Sequence, residues 1–359
     1  MMLYVHIPFC VRRCYYCDFV SFAGCEGRMH DYVDALIREM DKRPCEEEIT
    51  SVYLGGGTPP LLPPRELRRL LEAIRVRYKL SSRCEVTSEC NPGTVTEKWL
   101  DTAAQCGINR LSVGVQATQE ELLKRIGRIH SFSQAQETFA LAKKTEITNL
   151  SADLMYALPG QTVADMEESV KRVAELEPNH ISCYALTVAE GTPFGDLEEK
   201  GELPRCCEDE EMEMQERTVE ILAENGLFQY EVSNFAKPGF ASRHNLGYWT
   251  RADYIGLGCA AHSKEGNVRR ANVASLEDYI NGARFASEEI LSQEDEWFEE
   301  LMLGLRLKSG IKLSDGALVR YGKELERFEK QGFLVKNGRF VRLTEKGFPV
   351  MNSILSEML

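Results

Sequence analysis

The sequence predicts an α/β protein organised around a parallel sheet. Three observations carry that reading. Over the first 230 residues, short runs rich in β-branched and aromatic residues alternate with amphipathic helical runs. Six such strand–helix pairs follow in series, a pattern that folds into a parallel sheet with right-handed crossovers. Chemically notable residues fall just after the strands, where parallel sheets gather their ligands.

Taken in order, residues 3–7 read as the first strand and 31–43 as the first helix. The second strand, 51–54, runs into three glycines and is followed by a helix over 65–78. The third pair is a strand over 84–89 and a helix over 96–106. The fourth strand covers 110–115, with helical sequence to 144. The fifth pair spans 150–157 and 163–176, and the sixth spans 180–188 and 208–225. Residues 195–214 are acidic and broken by Gly201 and Pro204, which reads as a solvated loop and a helix start. From 294 the pattern changes to two helical stretches, 294–307 and 314–331, then two short strands around the turn Lys336-Asn337-Gly338. This resembles a winged-helix module. The expected organisation is a barrel core over 1–230, a barrel-closing segment over 231–293 and a helical, winged-helix-like domain over 294–359.

The chain has 359 residues and a net charge of -13, so bulk charge does not hold it to nucleic acid. No run of about 18 apolar residues suits a membrane span. Pro8 and Cys10 interrupt the short apolar start, unlike a signal-peptide core, so the expected location is the cytoplasm. The 12 cysteines are then expected as thiols or metal ligands.

Cys10, Cys14 and Cys17 form C-x3-C-x2-C directly after the first strand. Three soft thiolates on one loop suit three irons of a [4Fe–4S] cube, leaving the fourth iron open. The competing reading is zinc, completed by His6 or Cys25. At this point the sequence resembles the radical S-adenosylmethionine (SAM) superfamily, whose members carry this spacing in a partial (β/α)6 TIM-like barrel. The resemblance implies that SAM chelates the open iron and that a reductant supplies the electron which breaks its sulfonium bond.

Gly55-Gly56-Gly57-Thr58-Pro59 lets backbone approach a charged ligand closely. Glu89, Gln116, Arg128 and Asp153 follow at or near the ends of later strands. Together with Tyr4-Val5-His6-Ile7-Pro8-Phe9 and residues 257–263, their order is similar to the oxygen-independent coproporphyrinogen III oxidase family. That resemblance implies contact of Tyr4, Gly56 and Glu89 with the cluster-bound SAM. It implies contact of Tyr16, Gly57, Thr58, Gln116, Arg128 and Asp153 with a second SAM. The chain departs from the oxidases at Phe19, where they carry a further cysteine, and in the nine residues before Cys10, where they carry a long arm.

In place of those features stands His244-Asn245-Leu246-Gly247-Tyr248-Trp249. This HNxxYW block resembles the haem chaperone HemW subfamily. The likeness implies haem as cargo, with His244 as the iron ligand, and haem-accepting proteins as partners. His262 is a second imidazole candidate. A turn-forming His244 beside core-packing Tyr248 and Trp249 is the alternative on the residues alone. Homodimerisation and peripheral membrane contact stay open.

Overall fold

The computed structural model describes residues 1–358; Leu359, the last residue of the expected C-terminal domain, lies outside them. The first half runs β1 (Met2–Ile7), α1 (Met29–Lys42), β2 (Ile49–Gly56), α2 (Pro64–Arg77), β3 (Leu80–Cys90), α3 (Glu97–Gln105), β4 (Arg110–Gln116), α4 (Glu120–Arg125), α5 (Phe132–Ala142), β5 (Asn149–Tyr156), α6 (Val163–Ala174) and β6 (His180–Ala185). These six strands pair in parallel in chain order, as the βα series predicts. β4 is buried at every position and β1 at all but Tyr4, the run expected of strands covered on both faces. Thr96, Ser131 and Thr162 each cap the helix that follows with a side-chain oxygen, and Ser131 and Thr162 complete capping boxes with Gln134 and Asp165.

In the acidic stretch, the expected helix start is that of α8 (Glu208–Glu224), while a short helix, α7 (Pro193–Glu199), stands in the part that reads as loop. Thr192 caps α7, which has Pro193 at its first position. Then come β7 (Phe228–Glu231), β8 (Asn234–Ala236), α9 (Arg243–Trp249), β9 (Tyr254–Leu257), β10 (His262–Glu265), β11 (Val268–Asn272), α10 (Leu276–Ile280) and β12 (Phe285–Ile290). Residues 231–293 extend the sheet at both sides, with β8 beyond β6 and β9 to β12 beyond β1. β8 pairs antiparallel with β6, and β9 pairs in parallel with β1, so β7 and β12 are the two free edges of a 12-stranded sheet.

The C-terminal part holds α11 (Gln293–Gly304), β13 (Ile311–Lys312), α12 (Asp315–Lys330), β14 (Leu334–Asn337), β15 (Phe340–Leu343) and α13 (Met351–Ser356). β13, β15 and β14 form a separate small sheet, and residues from Leu301 to Met358 form their own apolar cluster. The hairpin turn lies at Gly338, with φ +60°, while Lys336 and Asn337 extend β14. No helix among the described residues is long and apolar enough to cross a membrane.

Candidate functional site

The register of the parallel strands sets the site at their C-terminal mouth. Tyr4 lies opposite Tyr53, Glu89 opposite Ser112, and Asp153 opposite Ser182. The strand ends carry the loops that hold the cysteines and the glycines. The backbone N–H of Thr58 donates to the Phe9 carbonyl at 2.8 Å, and the Thr58 hydroxyl lies 3.5 Å from the Cys10 Sγ. A side chain at Gly57 would meet the Ile7 and Phe9 carbonyls at 2.5 and 2.8 Å. The glycine run is therefore fitted against the chain that leads into Cys10, and Gly56 adopts a left-handed φ of +95°.

Cys10, Cys14 and Cys17 line one cavity of about 130 Å³ together with Tyr16, Gly56, Gly57, Glu89, Gln116, Arg128 and Asp153. Thr58 lies beside it through its contact with Cys10, and Tyr4 faces the adjoining cavity. Each of these carboxyl groups has hydrogen-bond donors. Glu89 accepts from the Tyr53 hydroxyl and the Gly56 N–H, both at 2.9 Å. Burial pushes its carboxyl up to about 7, against those two bonds. Asp153 accepts from the Ser112 hydroxyl at 3.0 Å, and burial raises it as well. Arg128 donates from Nη1 to the Asn91 Oδ1 at 2.7 Å, while its buried Nε has no partner among the described residues. Gln116 ends β4 with φ 67°, at a register shift against β5. Such strain in a buried side chain marks a position fixed by its surroundings.

These groups fit an iron–sulfur cluster and SAM. The donor set is soft sulfur on one loop, the glycine cradle has no room for side chains, and the unpaired guanidinium nitrogen suits a carboxylate. Among the described residues no three His, Cys, Asp or Glu side chains are gathered tightly enough for a single metal ion. His6 does not offer itself as a zinc ligand: its Nδ1 meets the Tyr4 hydroxyl at 2.9 Å and its Nε2 the Val20 carbonyl at 2.8 Å. The Cys25 thiol points to its own turn, at the Ala23 carbonyl.

A second cavity, of about 520 Å³, adjoins the first and shares Phe19, Gly56 and Glu89 with it. Its walls include Tyr4, Tyr53, Tyr248 and Tyr254, with His262 also on its lining. Phe19, 60% exposed, lies where these two cavities meet a third of about 330 Å³.

His244 lies in the wall of this second cavity. It is 1% exposed, with Nδ1 2.9 Å from the Ser51 hydroxyl and Nε2 3.1 Å from the Tyr248 hydroxyl. Its ring stacks on Tyr53 at 5.1 Å and meets Tyr248 edge-on at 4.9 Å. Burial, with the Arg110 charge nearby, lowers it to about 3. The imidazole is thus a neutral part of the aromatic wall, with both nitrogens engaged. Trp249 packs away from the cavity, under the Arg306 guanidinium at 5.1 Å.

Residues 4–173 match the model of the radical SAM superfamily, and residues 291–350 that of the HemN C-terminal domain. A heme chaperone HemW from Lactococcus lactis subsp. lactis (strain IL1403) is 35% identical over 366 residues, covering 99% of this chain and 96% of its own. The chain belongs to the HemW family of radical SAM proteins. A second HemW, from Escherichia coli (strain K12), is 34% identical, covering 100% of this chain and 98% of its own. The coproporphyrinogen III oxidase HemN of Escherichia coli has the same fold, with a TM-score of 0.85 over 99% of this chain and 89% of its own, at 22% identity.

Two residues of this HemW-family site are absent from the sequence reading. Asn91 bridges the two halves of the cysteine cavity, donating to the Thr58 hydroxyl at 2.8 Å and accepting from Arg128. Tyr53 links Glu89 to His244. Their only sequence signals are an Asn-Pro pair at a strand end and a tyrosine two places before Gly55. Neither is specific.

Proposed function

We propose that this chain is a haem chaperone built on a radical SAM scaffold, which takes up haem and passes it to acceptor proteins. Cys10, Cys14 and Cys17 would hold a [4Fe–4S] cluster. Gly56, Gly57, Thr58, Glu89 and Arg128 would seat SAM beside it, with Tyr4, Tyr16, Gln116 and Asp153 around them. When bound, the cluster supplies a single electron and an open iron corner. The chain's own part is to orient and to shield: Arg128 presents an unpaired N–H for a carboxylate, Glu89 anchors the glycine loop to the end of β3, and Thr58 holds that loop against the chain leading into Cys10.

The observation that carries the haem reading is the aromatic-walled cavity of about 520 Å³ opening beside the cysteine cavity. Its size is ordinary for a cofactor site, and flat aromatic walls suit a flat macrocycle. The printed names of the relatives, heme chaperone HemW, support the same reading. Phe19 supports it against porphyrinogen decarboxylation, since an exposed aromatic ring stands where the resembled oxidases carry a cysteine.

The test is a haem titration of anaerobically reconstituted protein, followed by an assay with reductant, SAM and coproporphyrinogen III. Saturable binding with a shifted Soret band and no protoporphyrinogen is expected. Absent haem binding, or sustained formation of protoporphyrinogen, contradicts the proposal.

A further inference from the structure

The chain has six histidines, and their surroundings divide them sharply. His6 and His244 have both ring nitrogens hydrogen-bonded, as described above. So does His180, through Ser151 on Nδ1 at 2.8 Å and Tyr230 on Nε2 at 2.9 Å. His130 is buried, with Nε2 at the Val115 carbonyl. His30 lies on the helical layer between Asp34 and Glu66, away from every cavity described. Among the described residues, His262 is the one histidine that is exposed, lacks a hydrogen-bond or ion-pair partner for its ring and also lines the aromatic cavity.

Its backbone is firmly held. Gly256 lies so close that a side chain there would meet the His262 carbonyl oxygen at 1.9 Å. Ser263 bonds the Gly256 N–H at 2.9 Å. The turn between β9 and β10 is tied down by the buried Glu39, which accepts from the Gly258 N–H at 2.9 Å and from Asn272 at 2.8 Å. Asn272 also donates to the Gly258 carbonyl at 2.8 Å. A ring with free nitrogens on a fixed strand end is what axial ligation of iron requires: the backbone is pre-organised and no internal bond must break.

We propose that His262 ligates the iron of haem bound in this cavity, and that His244 serves only as wall. The inference rests on the haem reading above and names the atom set that reading leaves open. The porphyrin plane would lie among Phe19, Tyr4, Tyr248 and Tyr254, with an imidazole nitrogen of His262 as the axial donor.

The experiment is a hemin titration of the full-length protein, read in the Soret region. Wild type, His244→Ala, His262→Ala and His262→Met are compared, with circular dichroism to confirm that each is folded. His244→Ala removes part of the cavity wall, so it is expected to bind hemin more weakly but to keep the wild-type band position, because the iron donor is intact. His262→Ala should bind at least about tenfold more weakly and lose that band, with added imidazole restoring it. His262→Met should give a displaced band of its own. An unchanged band and affinity in both His262 variants overturns the assignment while leaving haem binding in place. Absence of any wild-type band overturns the haem reading and the assignment with it.

Discussion

Glu231 shows how one residue can tie the stability of this protein to pH. It ends β7, is 0% exposed and accepts from Asn234 and from the Ser233 N–H at 3.2 Å, but its Oε2 has no partner. Burial raises its carboxyl to about 7, from an ordinary 4.5. The folded state therefore holds a proton that the unfolded state releases. The resulting stability is full below pH 4.5 and is lost as pH rises through about 7. Glu231→Gln keeps an acceptor for both donors and carries no charge. Urea unfolding across pH is expected to show the two proteins diverging between pH 4.5 and 7, with the variant more stable by on the order of 1–3 kcal/mol at pH 8. A gap that does not change with pH contradicts the assignment. The sequence displays Glu231 as an unremarkable carboxylate, because the hairpin with Asn234 is local but the bridge to Leu307 comes from far along the chain. The cysteines were legible for the opposite reason: C-x3-C-x2-C is local, and one loop keeps its thiols together wherever it folds. At His244 both readings stay open in the sequence, because it shows an imidazole and not what its nitrogens touch.

At the scale of elements, periodicity is legible where each strand–helix pair is local. The capping boxes of Ser131 with Gln134 and of Thr162 with Asp165 come from the structure. Ser131→Ala removes the acceptor for the Gln134 N–H at 3.3 Å and should lower stability by about 1 kcal/mol, measured by urea unfolding. No loss would mean that packing, and not the cap, starts α5. The six parallel strands were legible in the same way. The strands from β7 to β12 were not, because they are short and pair antiparallel or across large sequence separations. β9, for example, joins β1 although some 250 residues separate them. β12 carries a further ambiguity, since all six of its residues are exposed and it lacks the alternation that marks a half-buried strand. The acidic stretch reads as a loop and a helix start, which matches the start of α8; the short α7 has no apolar periodicity to announce it.

At the scale of the molecule, the sheet brings the ends of six parallel strands to one mouth, where the cysteine cavity and the aromatic cavity meet at Phe19 and Glu89. The separate apolar cluster of Leu301 to Met358 contributes to neither cavity lining. Both cavities thus lie at the mouth of the parallel strands, and the residues that the motif order singles out line or adjoin them. The motif order could not say which imidazole is free, because that depends on a full account of neighbours. The central claim is that the thiols of Cys10, Cys14 and Cys17 hold an iron–sulfur cube. The most direct measurement is iron and acid-labile sulfide per chain after anaerobic reconstitution, in wild type and in variants with each of these cysteines changed to serine. The account predicts about four of each in wild type and near-complete loss in the serine variants. Zinc without sulfide, or a sulfide content indifferent to the three replacements, would contradict it.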